Sequence, residues 1–307
     1  MTSRTQVPLL LCSNPLYLQH AAVCLTSLLV NNPDLHFDIV LVVSSRDPMG
    51  EEKLRRSLAP FRQHSLKLLQ FTLPQGTLLP LNPRTHYTLD NWTRLWVADF
   101  FAPEIERVLY LDCDLIVVGN VAPLWNTDLG GALFGAVDIP GSQRGIQKLD
   151  MRPEDGYFNS GVLLIDLAQW RCTRALNVVL DYVSGNSARL PDVDQDALNA
   201  CFHARRMRLE YKWNAIAPFF REPLALPLPR AEIEAVCREA RIIHFNGASK
   251  PWKYLTAHTR KREYWKYLHM TEWRDYVPPD RTLTNMLREA ASIILPRPVK
   301  TILKRFL

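Results

Sequence analysis

The stretch Val108–Val118, VLYLDCDLIVV, constrains this chain more than any other. An apolar run rich in Val, Ile and Leu reads as a buried strand, and Asp112 and Asp114 interrupt it. A carboxylate in such surroundings is costly unless it is paired or ligates a cation. In an extended backbone, side chains at i and i+2 point to the same face, so both acids can reach one ion at the mouth of a sheet. Hard oxygen donors suit Mg²⁺ or Mn²⁺. The pattern is also compatible with a strand end whose aspartates cap a turn.

Elements around this stretch alternate. Val7–Leu11, Phe37–Val43 and Leu66–Phe71 read as strands. Between them, Gln19–Val30 carries apolar residues at helical spacing and Met49–Leu58 is a second helix. Such β-α-β-α-β alternation implies a parallel sheet wrapped by helices, with ligands at the carboxyl ends of strands. Thr88–Phe101 is predicted as an amphipathic helix, on which Asp90 and Arg94 have the spacing of a surface i, i+4 pair. Further strands are expected over Gly131–Val137, Tyr157–Leu167 and Met207–Trp213, and a mobile loop over Gly141–Asp155. Leu190–Phe202 opens a helix with three acids. Helix-start chemistry explains some of Asp192, Asp194 and Asp196, but not all three, nor Gln195 between them. Ile242–Phe245 is a short apolar run, and His258–Leu268 a helix.

Charge is unevenly placed. The net charge of +6 comes mostly from Arg281–Leu307, where six Lys/Arg and one Glu give +5. A near-neutral body without a base-reading motif excludes a general nucleic-acid role. No run reaches the roughly 18 apolar residues of a membrane span, and Val7–Leu11 is too short for a signal-peptide core. The six cysteines lack C-x-x-C spacing, which fits reduced thiols in a cytosol.

Several stretches, in this order, resemble glycosyltransferase family 8: T-S-L-L at 26–29, R-L at 94–95, L-Y-L-D-C-D at 109–114, Y-F-N-S-G-V-L-L-I-D-L at 157–167, D-Q-D-A-L-N at 194–199 and H-F-N-G-A-S-K-P-W at 244–252. The resemblance spans roughly residues 7–268. It implies a GT-A fold, a single Rossmann-like mixed sheet flanked by helices. Residues 1–270 would form the catalytic domain, followed by a basic amphipathic tail over 271–307. It also implies a Mn²⁺ (or Mg²⁺) ion, a UDP-hexose donor and a retaining hexosyl transfer to a glycan or lipid-linked saccharide, such as lipopolysaccharide core.

By the same resemblance, His244 is the third metal ligand beside Asp112 and Asp114, with Cys113 between the two acids at the donor site. Lys250 and the Gly247 backbone sit beside the diphosphate. Arg94 lies near diphosphate and sugar, and Asp138, Asn159 and Asp194 bond donor hydroxyls. Gln195 faces the anomeric carbon. A neutral amide is a poor nucleophile, which favours front-face transfer; Asp194 is the only carboxylate to test for a double displacement. The sequence departs from the family after the first strand. Asn14 and Pro15 replace an acidic pair, while Tyr17 keeps the position that stacks on the base. A nucleotidyltransferase would want a Gly-rich, basic loop there, and Leu9–Tyr17 has neither. A silent binding protein on the same fold would break the metal set.

In the tail, Leu283, Met286, Leu287, Ala290, Ile293 and Ile294 recur at three and four, and Val299, Ile302, Leu303 and Phe306 follow among Arg297, Lys300, Lys304 and Arg305. A basic amphipathic segment predicts binding to an anionic membrane surface, placing the protein on the cytoplasmic face of the inner membrane. A helix docked on the body is the other reading.

Overall fold

The computed structural model describes residues 4–77, 79–80, 89–221 and 226–294. Ten strands appear in chain order: β1 (Thr5–Ser13), β2 (Leu35–Val43), β3 (His64–Gln70), β4 (Arg107–Leu111), β5 (Leu115–Val117), β6 (Phe134–Asp138), β7 (Phe158–Asp166), β8 (Arg206–Leu209), β9 (Ala215–Ile216) and β10 (Ile242–His244). Seven form one mixed sheet in the order β3-β2-β1-β4-β7-β6-β8. The pairs β3-β2, β2-β1 and β1-β4 are parallel, and β7 runs antiparallel to both β4 and β6. Strand order reverses at β1, with β2 on one side and β4 on the other. In open α/β sheets, ligands bind at such a switch point, outside the carboxyl ends of the strands.

Period-2 alternation divides the strands between two cores. Leu10, Val40, Val108, Tyr110 and Leu163 face Trp92, Trp96 and Phe202. Leu9, Leu11, Ile39, Leu109, Leu111 and Val162 face Ala21, Leu25 and Leu28 of the helix Leu18–Asn31. The buried sheet flanked by helices that the sequence predicts is therefore present. Beside it stands a three-stranded sheet in the order β5-β10-β9, with its own core of Ile116, Ile216, Ile243, Phe245 and Tyr264.

That second sheet corrects the reading of Val108–Val118 as one strand. The run breaks into β4 and β5 at Asp112, Cys113 and Asp114, and the halves join different sheets. A run read as continuous does not reveal a change of sheet, because both halves are buried and apolar. Two further expectations change. Leu89–Phe100 is a 3₁₀ helix with a non-helical residue at Trp96; the predicted start at Thr88 lies outside the described residues. At three residues per turn, positions i and i+4 point in different directions, so Arg94 is no surface partner of Asp90 and turns inward, toward Asp112 and Asp194. Gly141–Asp155 contains the helix Gln143–Lys148 and a 3₁₀ turn at Pro153–Asp155, both too short for a periodic signal.

At the C-terminus, Leu283–Ile294 is helical as predicted. Its Leu283 and Leu287 are 74% and 63% exposed. Tyr254 ties it to the body by donating its hydroxyl proton to Glu289. The later tail positions, Arg297, Val299, Lys300, Ile302, Leu303, Lys304, Arg305 and Phe306, lie outside the described residues. No described helix is long and apolar enough to cross a membrane.

Candidate active site

Strand register assembles the site. The apolar ladder of β4 against β7 runs Leu111 opposite Val162, and Asp112 N–H extends it to the Gly161 carbonyl at 2.8 Å. The chain then turns at Cys113 and enters β5. There Leu115 pairs with His244 of β10, and Phe245 N–H bonds the Asp114 carbonyl at 2.9 Å. Pairing across the second sheet thus carries His244 to Asp114 over 130 positions. Donor atoms of Asp112, Asp114 and His244 all lie within 4.8 Å of one another. Gly161 leaves the room: a Cβ there would stand 2.3 Å from His244 Cε1 and 2.7 Å from an Asp112 oxygen. Glycine inside a strand often marks such a close approach.

Imidazole orientation is fixed from behind. His244 Nδ1 lies 3.0 Å from Asn214 Oδ1, while Asn214 donates its amide to Asn159 Oδ1 at 2.8 Å. The Asn214 oxygen therefore accepts from Nδ1–H, and Nε2 is directed at Asp114, 3.1 Å away. A histidine held this way by its far nitrogen is prepared as a ligand. Two carboxylates and one imidazole suit Mn²⁺, and the oxygen pair alone suits Mg²⁺. Lys250, itself buried, donates to the other Asp114 oxygen and to the Phe245 carbonyl. Burial alone would raise the Asp114 pKa; Lys250 and His244 overcome it and hold the carboxyl well below the usual carboxylate range.

Arg94 links two acids. It is 6% exposed, lies 3.0 Å from both Asp112 and Asp194, and donates to the Ser160 carbonyl at 2.8 Å. Its guanidinium also stacks 4.6 Å from the Tyr110 ring, and Tyr110 donates to Asp112 at 2.7 Å. Asp194 is 2% exposed, and burial, aided by the Asp112 charge, pushes its pKa up to about 7 against the pull of Arg94. It sits at the start of the helix Val193–Phe202, whose Asn199 side chain clamps both backbone groups of Phe158 at 2.9 Å.

Gln195, next on that helix, has both ends of its amide engaged. Its oxygen accepts from Asn159 at 2.8 Å and from Ser160 N–H at 3.2 Å, and its nitrogen donates to the Tyr157 hydroxyl at 3.0 Å. Asn159 is correspondingly occupied by Gln195, Asn214 and Gly161 N–H. A continuous amide chain thus runs from Gln195 through Asn159 and Asn214 to His244.

Most of the expected residues line one pocket at the switch point: Asn14, Tyr17, Arg94, Asp112, Cys113, Asp114, Asn159, Asp194, Gln195, His244, Gly247 and Lys250. Gly247 adopts φ +76° with open space beside it, so backbone conformation explains it better than close approach. Cys113 donates to the Cys12 carbonyl at 3.2 Å, and burial keeps its thiol protonated. Asp138 is the exception. It lies outside the pocket lining, on β6 and one strand further out than β7, where Arg206 and Arg208 of β8 hold its carboxylate. Sequence reasoning missed the contacts that Tyr110, Ser160, Gly161 and Asn214 make in the site. Only Gly161 carried a signal, as a glycine inside an apolar strand.

A mixed sheet with a carboxylate–imidazole cluster at its switch point is the architecture of the GT-A fold. This chain belongs to glycosyltransferase family 8, whose model matches residues 8–256. It is 30% identical over 199 residues to General stress protein A of Bacillus subtilis (strain 168), covering 62% of this chain and 68% of that one. It is 24% identical to a lipopolysaccharide 1,2-glucosyltransferase of Escherichia coli (strain K12), over 86% of this chain and 78% of the relative. The structure of a galactosyltransferase, LgtC, superposes with a TM-score of 0.76 at 21% identity, covering 89% of this chain and 98% of that one.

Proposed function

We propose that this glycosyltransferase moves a hexose, galactose or glucose, from a UDP-sugar to a saccharide acceptor with retention of anomeric configuration. The observation that carries this reading is the meeting of Asp112, Asp114 and His244, with Lys250 one bond away, at the switch point of the sheet. A divalent cation held by these three side chains, Mn²⁺ or Mg²⁺, would neutralise the diphosphate as the glycosidic bond breaks. Lys250 adds a point charge for the same diphosphate. Arg94 orients Asp112 and Asp194 together. Asp194 is clamped by Arg94 and by Ser160, 3.2 Å away, which suits a group that positions the sugar rather than one that attacks it. Gln195 then supports front-face transfer, its amide held by Asn159, Ser160 and Tyr157 against rotation. Screening donor hydrolysis with Mn²⁺ over UDP-galactose, UDP-glucose, UDP-N-acetylglucosamine and GDP-sugars tests the proposal. Turnover confined to UDP-hexoses is expected, and turnover of GDP-sugars alone would sink it.

A lipopolysaccharide core or a related lipid-linked glycan is the acceptor we favour, on the names of the relatives that act on lipopolysaccharide. Such an acceptor fits an enzyme working at the cytoplasmic face of a membrane. The exposed Leu283, Met286 and Leu287, at three- and four-residue spacing on the helix Leu283–Ile294, would supply an apolar face for an anionic leaflet. Removing residues 281–307 should release the protein from membrane fractions at low salt; unchanged sedimentation rejects the anchoring.

A further inference from the structure

We propose that Asp90 supplies the carboxylate that selects the donor's base, taking over from the acid that Asn14 replaces. The inference rests on the UDP-sugar reading above. Where the family resemblance expects an acidic pair after β1, this chain has Asn14-Pro15. The Asn14 side-chain oxygen is engaged in capping, accepting from Tyr17 N–H at 3.2 Å. Its amide nitrogen donates to Asp90 Oδ2 at 3.3 Å. A carboxylate thus stands one hydrogen bond from position 14, delivered from the Leu89–Phe100 helix 76 residues later.

Both groups line the same pocket as Tyr17, the side chain expected to stack on the base. Asp90 and Arg94 share one helical element, and Arg94 is locked to Asp112 and Asp194, so the position of Asp90 is tied to the metal end of the site. Proline at 15 sets the turn that presents Asn14 as the cap of Pro15–Tyr17.

The chemistry of the pair discriminates among pyrimidines. Uracil presents N3–H between two carbonyl oxygens. A carboxylate accepts from that N–H, and the second amide proton of Asn14 matches a flanking carbonyl. Cytosine keeps O2 but presents a bare N3 and an amine in place of O4, so the carboxylate meets a lone pair and an amide aimed at the O4 side meets a donor. A site built around such polar groups rejects the mismatched analogue strongly. Asn14 alone would offer N3–H only a neutral amide oxygen that already accepts from Tyr17 N–H, a weaker acceptor than a carboxylate.

The test measures UDP and CDP binding, each with Mn²⁺, to the full-length protein by titration calorimetry. Wild type should prefer UDP. Asp90→Asn, nearly isosteric, should reduce the UDP-over-CDP ratio at least about tenfold, the scale of a hydrogen bond to a charged group. Melting temperature and Mn²⁺ affinity should stay at wild-type values. Asp90→Ala should weaken UDP without improving CDP. Adding Asn14→Asp to Asp90→Asn should restore the preference, and failure to do so overturns the claim that the two positions serve one contact. A wild type that binds neither nucleotide overturns the donor reading together with this one. A wild type that binds UDP, with Asp90→Asn keeping its ratio, overturns this assignment alone.

Discussion

The Asp112–Asp114–His244 end of the pocket is held by charge and strand register, whereas the Gln195 amide itself is held by neutral groups of Asn159, Ser160 and Tyr157. Asp112, Asp114 and His244 come from two sheets and are balanced by Arg94 and Lys250. Gln195, Asn159 and Tyr157 carry no formal charge, and each is engaged by a neighbour. Under the proposed reaction, charge is concentrated where the diphosphate leaves. At the sugar, that reaction would use a fixed dipole in place of a nucleophile. Preorganised dipoles of this kind stabilise developing charge without moving at the moment of reaction. The two ends are not independent, because Asn159 and Asn214 connect them.

The largest effect that would separate the ends is steric. Gly161→Val drives a side chain into His244 and Asp112. It should abolish Mn²⁺ binding and transfer together while the fold survives by circular dichroism. A valine variant that titrates Mn²⁺ like wild type would remove the metal end from the argument. The contrast is sharpened by Gln195→Ala, expected to lower kcat about 100-fold at unchanged Mn²⁺ affinity. Asn214→Ala should do the reverse in kind, weakening Mn²⁺ about 10–100-fold through the lost imidazole partner. If both variants move metal affinity equally, the pocket is one unit and the division fails.

The smallest effect is on stability. Asp194 has its carboxyl raised from 3.8 to about 7 by burial. The protonated form is the one the fold prefers, so its stabilising contribution is complete below about pH 4 and is lost as pH rises through 7. Asp194→Asn does not titrate. Its melting temperature relative to wild type should therefore be higher at pH 8 than at pH 5, by a few degrees at about 2–4 °C per kcal/mol. A constant difference across that range would mean Asp194 is already ionised at pH 5.

The parallel half of the sheet was legible because its strands are apolar runs separated by helices with clear periodicity. Residues 9–11 of β1 and 39–43 of β2 are such runs, and they pair in register. That Asp112 and Asp114 share a site was legible because two aspartates in an apolar run demand a partner. The contacts that Asn214 and Ser160 make in the site were not legible, since ordinary polar residues carry no mark of what they will face. The place of Asp138, on β6 beyond β7 and beside the arginines of β8, was not legible either, because strand order is not a property of any one stretch.

Taken alone, the sequence determined the strands and helices of the parallel half of the sheet, that two acids share a site, and that the basic charge sits in the tail. Periodicity and burial are local properties, and a chain states them openly. Tertiary structure decided that the Val108–Val118 run splits between two sheets, that Arg94 turns inward to bind Asp112 and Asp194, and that His244 arrives opposite Leu115. Those outcomes depend on how segments far apart in the chain come together. Strand register, in particular, is set by how whole faces pack rather than by any one stretch.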